Sequence, residues 1–370
     1  MSAAGIIEGI ALVGVVITTV PVLSDLFNPK PDKSTTTKVR LVAGDGNFTD
    51  GNIPHVALFD RSGSSIGFSD VGKNDFKSSI IHKGQPHDLS ITQEDTGSAA
   101  NGAEYLSMTA SGDNAVCISI VTVTTPTGVQ YSWMGDVAKQ CGAPWSYGNV
   151  VASISAKGEV RPACIWLDLD ATNGLKTRGV GMHLPSFQSN EVREADFRNH
   201  TNKMCKSDPR FKVYDELSSL DPIPYFKEPV YNLTSLLDFG NQALNKTNWD
   251  TKPIPDEFLD WFGKKKRETQ AARIGETKRP AHLVVTSFGA HSARELCESS
   301  SSWGPDLVNP EEGYYCDMES KTLWAVCDKD GKGNKKAGCF DMDTNRLRLG
   351  AKWRLGRREG KKYTDVKRWT

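Results

Sequence analysis

The segment from Cys297 to Trp353 constrains the fold more than any other part of the chain, because it holds a short internal repeat and half of the cysteines. Cys316-Asp317-Met318-Glu319-Ser320-Lys321-Thr322-Leu323 recurs as Cys339-Phe340-Asp341-Met342-Asp343-Thr344-Asn345-Arg346-Leu347, with one residue inserted after the cysteine. In each copy an apolar, β-prone run enters a polar cluster and another leaves it, the pattern of a β-hairpin. Cys327 and Cys339 flank a polar, glycine-broken loop. The pattern predicts two hairpins joined by that loop, a small meander with cysteines at strand ends. Loop closure favours Cys327–Cys339 and Cys297–Cys316 as disulfides and leaves the pairing of Cys117, Cys141, Cys164 and Cys205 open.

A chain of 370 residues is long for one compact domain. Residues 1–27 form an apolar segment of signal or anchor type. Its strongest run, Ile10 to Leu23, has the length of a secretory h-region, but the only early charge is Glu8 rather than a basic cluster. Residues 28–37, spaced by Pro29 and Pro31, read as a linker. From 38 to 188 the chain carries short β-branched runs, among them Val39–Val42, His55–Phe59, Ala115–Val123 and Cys164–Leu169, separated by Gly/Asp/Asn/Ser clusters. That is the signature of an antiparallel β-sandwich or jelly-roll-like domain. Residues 189–275 read as a partly helical connector, with helical spacing over 232–245 and 255–272. Residues 276–370 make the cysteine-rich β-hairpin module with a basic carboxy-terminal strand. The fold class is therefore mainly β, with α+β character minor.

Formal net charge is zero, which gives no global electrostatic case for binding nucleic acid. The distribution is uneven. Ten basic residues stand against two acids from Arg346 onward, so the last 25 residues carry +8 and the remainder −8. Arg346–Leu355 alternates basic with apolar residues, as in a strand with one cationic face. The two readings of that face are attraction of acidic polymers and protection of a sheet edge. Basic clusters at 264–267 and 278–279 read as solvated helix ends or as dibasic processing sites.

The cysteines lack CxxC spacing and have no histidine at ligand spacing, so no zinc site is indicated. Their even number accompanies four sequons, at Asn47, Asn199, Asn232 and Asn245. Together these point to disulfides, glycosylation and the secretory pathway.

The carboxy-terminal 80 residues resemble secreted cysteine-rich proteins of filamentous fungi that have no settled activity. The residues carrying the resemblance are His291-Ser292-Ala293-Arg294-Glu295-Leu296-Cys297, Ser302-Trp303-Gly304-Pro305-Asp306-Leu307-Val308, Gly313-Tyr314-Tyr315-Cys316-Asp317-Met318, Gly338-Cys339-Phe340-Asp341, and Tyr363, Val366 and Trp369. It implies an extracellular setting without implying a reaction.

Several candidate chemistries follow from particular residues. Trp133, Trp145, Tyr147 and Trp166 form a sugar-stacking platform if exposed and core if buried, and core is the favoured reading. Asp168 and Asp170 offer alternating oxygens for a structural calcium ion, although neither the glycine nor the glutamate of an EF-hand loop is in place. The same pair, projecting from one face of a strand, would serve glycoside hydrolysis. Ser287, after a strand and near His291, lacks the first glycine of a nucleophile elbow. No cofactor beyond that calcium ion is indicated. These readings converge on a secreted or cell-surface, disulfide-stabilised binding or structural protein, non-enzymatic, with a glycan or protein ligand. The competing readings are a membrane-active, pore-forming toxin-like protein that inserts residues 5–27 and a secreted hydrolase. Oligomerisation stays open.

Overall fold

The computed structural model describes residues 35–46, 48–69, 80–93, 102–155, 158–171, 174–188, 202–231, 242–253, 282–328, 338–350 and 360–369. The chain divides into two compact units, Met1–Thr277 and Lys278–Thr370. The apolar segment 1–27 and the basic clusters at 264–267 and 278–279 lie outside the described residues. Among those residues, no helix is long and apolar enough to cross a membrane.

The first unit is a sandwich of antiparallel sheets. Its strands are β1 (Thr36–Ala43), β2 (His55–Phe59), β3 (Ser65–Phe68), β4 (Pro86–Thr92), β5 (Tyr105–Thr109), β6 (Val116–Thr124), β7 (Gln130–Met134), β8 (Trp145–Ser146), β9 (Cys164–Leu167), β10 (Gly179–His183) and β11 (Phe211–Tyr214). One sheet runs β8-β9-β6-β1-β4 with β7 also on β6, and the other runs β11-β10-β5-β2-β3. Period-two alternation sends Val39 and Leu41 of β1 and Leu89 and Ile91 of β4 into the shared core. There they meet Val56, Leu58, Leu106, Met108, Val180 and Met182 from the opposite sheet. Strand β6 changes the phase of its alternation at a bulge. Val42 pairs with Ile120 but Ala43 with Ile118, so Ser119 is an extra residue in the ladder. The slip lets Val116 and Ile118 face inward on one side of the bulge and Val121 and Val123 on the other. Ile120 instead joins Val42, Met134, Val150 and Ala152 in a separate cluster.

The connector packs onto the back of the second sheet. Leu217, Ile223, Phe226, Val230, Tyr231 and Ala243 bury Ala57, Phe59 and Tyr105. Its described parts are short strands and single 3-10 turns at Gln242–Leu244 and Lys246–Asn248; most of the expected helical stretches, 232–241 and 254–272, lies outside the described residues. Two disulfides tie this unit. Cys117–Cys164 crosses from β6 to β9, and Cys141–Cys205 joins the end of α1 (Gly135–Gln140) to that of α2 (Asn202–Cys205).

The second unit is built on β12 (Leu283–Thr286), α3 (Ala293–Glu298), β13 (Asp306–Asn309), β14 (Tyr314–Asp317), β15 (Thr322–Ala325), β16 (Gly338–Asp341), β17 (Arg346–Leu349) and β18 (Val366–Trp369). The order β15-β14-β13-β12-β18 makes a mixed sheet, since β12 pairs in parallel with both β13 and β18. A plain meander is therefore only part of the arrangement. The two hairpins of the repeat, β14–β15 and β16–β17, form as expected. Helix α3 supplies the crossover between the parallel strands β12 and β13 that such pairing requires. Ser292 caps this helix by accepting from the Glu295 amide at 3.0 Å. Cys297–Cys316 pins the helix to β14, and Cys327–Cys339 closes the loop between the hairpins. All eight cysteines are thus paired. The core joins Leu283, Val285 and Val308 to Tyr315, Trp324, Phe340, Leu347 and Tyr363.

Candidate functional site

The repeat positions a concentrated group of ionisable side chains in the second unit. Asp317 and Asp341 occupy matching places before the two turns, and each folds its carboxylate over the following backbone. Asp317 Oδ1 accepts from the Glu319 and Ser320 amides at 3.1 and 3.4 Å, and Asp341 Oδ1 from the Asp343 and Thr344 amides at 2.9 and 3.3 Å. Asp341 then pairs with Arg348 on the neighbouring strand, and Asp317 with Lys361.

Lys361 is held by its backbone. The Leu347 amide donates to its carbonyl at 2.8 Å, and the Tyr363 amide donates to the Asn345 carbonyl at 3.0 Å. The approach is so close that a Cβ on Gly360 would stand 1.8 Å from the Leu347 carbonyl oxygen, so only glycine fits there. This placement brings Lys361 Nζ to 2.6 Å from Asp317 Oδ1, 3.1 Å from Asp306 Oδ2 and 3.2 Å from Glu319 Oε2. Asp317 is 1 % exposed and Asp306 7 %, against 69 % for Glu319, so two of the three carboxylates are inside the protein. Asp306 Oδ1 accepts from the Met318 amide at 2.6 Å. The Tyr363 hydroxyl donates to Asp306 Oδ2, and Tyr363 and Tyr315 share a hydrogen bond of 2.6 Å. Tyr315 stacks on Phe340 with ring centroids 4.3 Å apart.

The electrostatics separate the two aspartates. Burial pushes the Asp306 carboxyl up, and Lys361, Tyr363 and the Met318 amide offset it only in part. Burial also acts to raise Asp317, but its bonds to Lys361 and to the turn outweigh that and hold it below the usual carboxylate range. Burial works against the Lys361 cation, yet the two aspartates hold its pKa above the ordinary lysine value. Burial drives both tyrosines upward.

A second polar chain lies in the first unit. His183 places Nδ1 2.9 Å from Ser186 Oγ and Nε2 3.4 Å from Glu104 Oε1, while the Tyr231 hydroxyl donates to Ser186 Oγ at 2.9 Å. The hydrogen bonds are consistent with an imidazole protonated on Nε2. These are the residue types of an acyl-transfer relay. Ser186 is 1 % exposed and shut beneath Tyr231, so the chain fastens the connector to β10 instead of presenting a nucleophile.

The structure corrects several sequence expectations. Trp133, Trp145, Tyr147 and Trp166 are buried and offer no sugar-stacking platform. Trp133 stacks on Phe211 between the sheets, Trp166 on Phe48, and Trp145 meets Tyr147 edge-on. Asp168 and Asp170 do not share a strand face, because β9 ends at Leu167; Asp168 is fully buried and Asp170 partly exposed. Among the described residues no group of three His, Cys, Asp or Glu side chains is arranged for a metal. Ser287 is exposed, while the nearby His291 directs Nδ1 to Thr286 Oγ1 at 3.1 Å. The pairings Cys297–Cys316 and Cys327–Cys339 are present. Asn47, Asn199 and Asn232 lie outside the described residues. Asn245 is exposed, and its Oδ1 accepts from the Thr247 amide and hydroxyl at 3.1 and 2.8 Å.

Asp306 and Lys361 carry no signal of their own in the sequence. Asp306 follows a Trp-Gly-Pro turn, and Lys361 is one of the ten basic residues of the carboxy-terminal tail. The one usable clue was the aspartate common to both repeats.

No family model and no curated protein matches the chain. Among solved structures, the crystal structure of an engineered LOX variant is similar over 35 % of this chain and 16 % of that one, at 13 % identity and a TM-score of 0.20. A likeness of that size carries no argument about fold or activity.

Proposed function

We propose that this is a secreted, disulfide-stabilised, non-enzymatic protein of the cell surface or extracellular space that acts by binding or by structural association. The observation that carries the reading is the pairing of all eight cysteines, two disulfides in each unit, which an oxidising compartment sustains and a reducing one does not. The sequon at Asn245 supports it, because the exposed side chain is turned outward in a hydrogen-bonded Asn-x-Thr geometry. The buried polar groups support it too. Both clusters tie strands together beneath the surface, as suits a body whose outside meets the ligand. With the four core aromatics withdrawn from that surface, a protein ligand or the polar edges of a glycan fits the exposed faces better than sugar stacking.

Intact and peptide mass spectrometry on protein from the natural culture medium tests this. The expected result is an extracellular protein with four disulfides and a glycan on Asn245 that Thr247→Ala removes. A protein confined to the cell, with free thiols and a bare Asn245, would overturn the reading.

A further inference from the structure

We propose that Lys361 and Asp317 condense after folding into an intramolecular amide, an isopeptide bond, with Asp306 as the proton carrier. The inference is independent of the secreted reading and rests on the arrangement of the three side chains.

First, the reactive groups are already in place. Lys361 Nζ is 2.6 Å from Asp317 Oδ1, and neither end is free to wander. The lysine backbone is locked against Leu347 by the Gly360 contact, and the carboxylate is fixed over its turn by two amides. Positioning of this kind is equivalent to effective concentrations of about 10⁵–10⁸ M. Second, condensation requires protons to travel from nitrogen to the departing oxygen, and a second carboxyl adjoins the nitrogen. Asp306 Oδ2 is 3.1 Å from the same nitrogen, and burial favours its protonated form. Third, the turn amides of Glu319 and Ser320 point at Asp317 Oδ1, where negative charge grows as nitrogen adds to the carboxyl carbon. Fourth, Asp317 is 1 % and Asp306 7 % exposed, so the carboxylates facing Lys361 Nζ are drawn out of water. Burying a carboxylate is costly, and a neutral amide removes that cost while expelling water.

The step balances without any co-reactant. The Lys361 ammonium gives up two of its three protons in turn through Asp306. A bond forms between Nζ and the Asp317 carboxyl carbon, the bond from that carbon to Oδ2 breaks, and the oxygen leaves as water. Oδ1 stays behind as the amide carbonyl, still accepting from the turn. Asp306 ends as it began, and the positive and negative charges of the pair are both lost.

Denatured, reduced full-length protein should contain a branched tryptic peptide joining the segments around 317 and 361, lighter by one water, about 18 Da, than their sum. Lys361→Arg should yield the two peptides separately. Asp306→Asn, with a native near-ultraviolet circular dichroism spectrum, should slow formation of the branched peptide at least tenfold. Separate peptides from wild-type protein held folded for days would overturn the bond. Undiminished branching in Asp306→Asn would overturn the proton-carrier role.

Discussion

Lys321 and Asn345 hold the same left-handed backbone position in the two copies of the repeat, with φ of 50° and 47°. The equivalence reaches past the hairpin shape to one strained residue per turn. Asparagine tolerates that conformation, whereas lysine does not favour it. Lys321 remains because its Nζ donates to the Leu296, Ser299 and Ser302 carbonyls at 3.3, 3.2 and 2.8 Å, meeting the open end of α3.

Substitution at the two turns should therefore separate. Asn345→Gly should be neutral or slightly stabilising, because it relieves the positive φ. Lys321→Ala keeps the strain and removes a charged donor from three carbonyls, of which those of Leu296 and Ser299 still accept from Ser302 Oγ, so it should cost about 1–3 kcal/mol. Urea unfolding of the two variants reads the difference, and equal losses would contradict it.

The polar chain under the connector should behave asymmetrically. Tyr231→Phe deletes one hydrogen bond and should cost about 1 kcal/mol, while Ser186→Ala removes a partner from both His183 Nδ1 and the Tyr231 hydroxyl and should cost about 1–3 kcal/mol. Limited proteolysis provides the second readout, with cleavage near 215–231 accelerating more in Ser186→Ala.

Disulfide removal should scale with the loop that each bridge closes. Cys141–Cys205 spans 64 residues and Cys327–Cys339 spans 12. On chain entropy alone, paired serine substitutions should cost about 4 kcal/mol for the first and about 3 kcal/mol for the second. Thermal unfolding of the double variants compares them; a larger loss at the short loop would place the effect in native packing.

Tyr315 and Tyr363 make the second unit sensitive to alkali. Both folded pKa values lie above the unfolded one near 10, so the native state holds protons that the unfolded chain releases. Their contribution is complete below pH 10 and is lost as pH climbs beyond it. Denaturant midpoints measured from pH 8 to 11 should fall at the alkaline end in wild type, and less in Tyr363→Phe.

What could be read from the sequence was whatever repeats or alternates. The strands Val39–Val42, His55–Phe59 and Cys164–Leu167 stand out as β-branched runs, and the hairpins around Lys321 and Asn345 follow from the copied motif. The parallel pairing of β12 with β13 and β18 leaves no local trace, because it depends on a crossover and on a strand supplied from far along the chain. The sequence favoured core for the tryptophans without showing what they pack on; Trp133 stacks on Phe211 and Trp166 on Phe48, residues of distant segments. Lys361 was one basic tail residue among ten, because composition does not register Gly360, which lets the backbone come close enough to bring that charge to two buried aspartates.

The insertion of β18 beside β12 also sets a timetable for biosynthesis. The first unit has every strand of its two sandwich sheets by Tyr214 and its covering connector soon after, so it is free to form while translation continues. The second cannot close one flank of its sheet until residues 366–369 have emerged from the ribosome. Until then β12 presents an unpaired edge of Leu283, Val284, Val285 and Thr286, and that nascent edge is where a chaperone would have its greatest effect on yield.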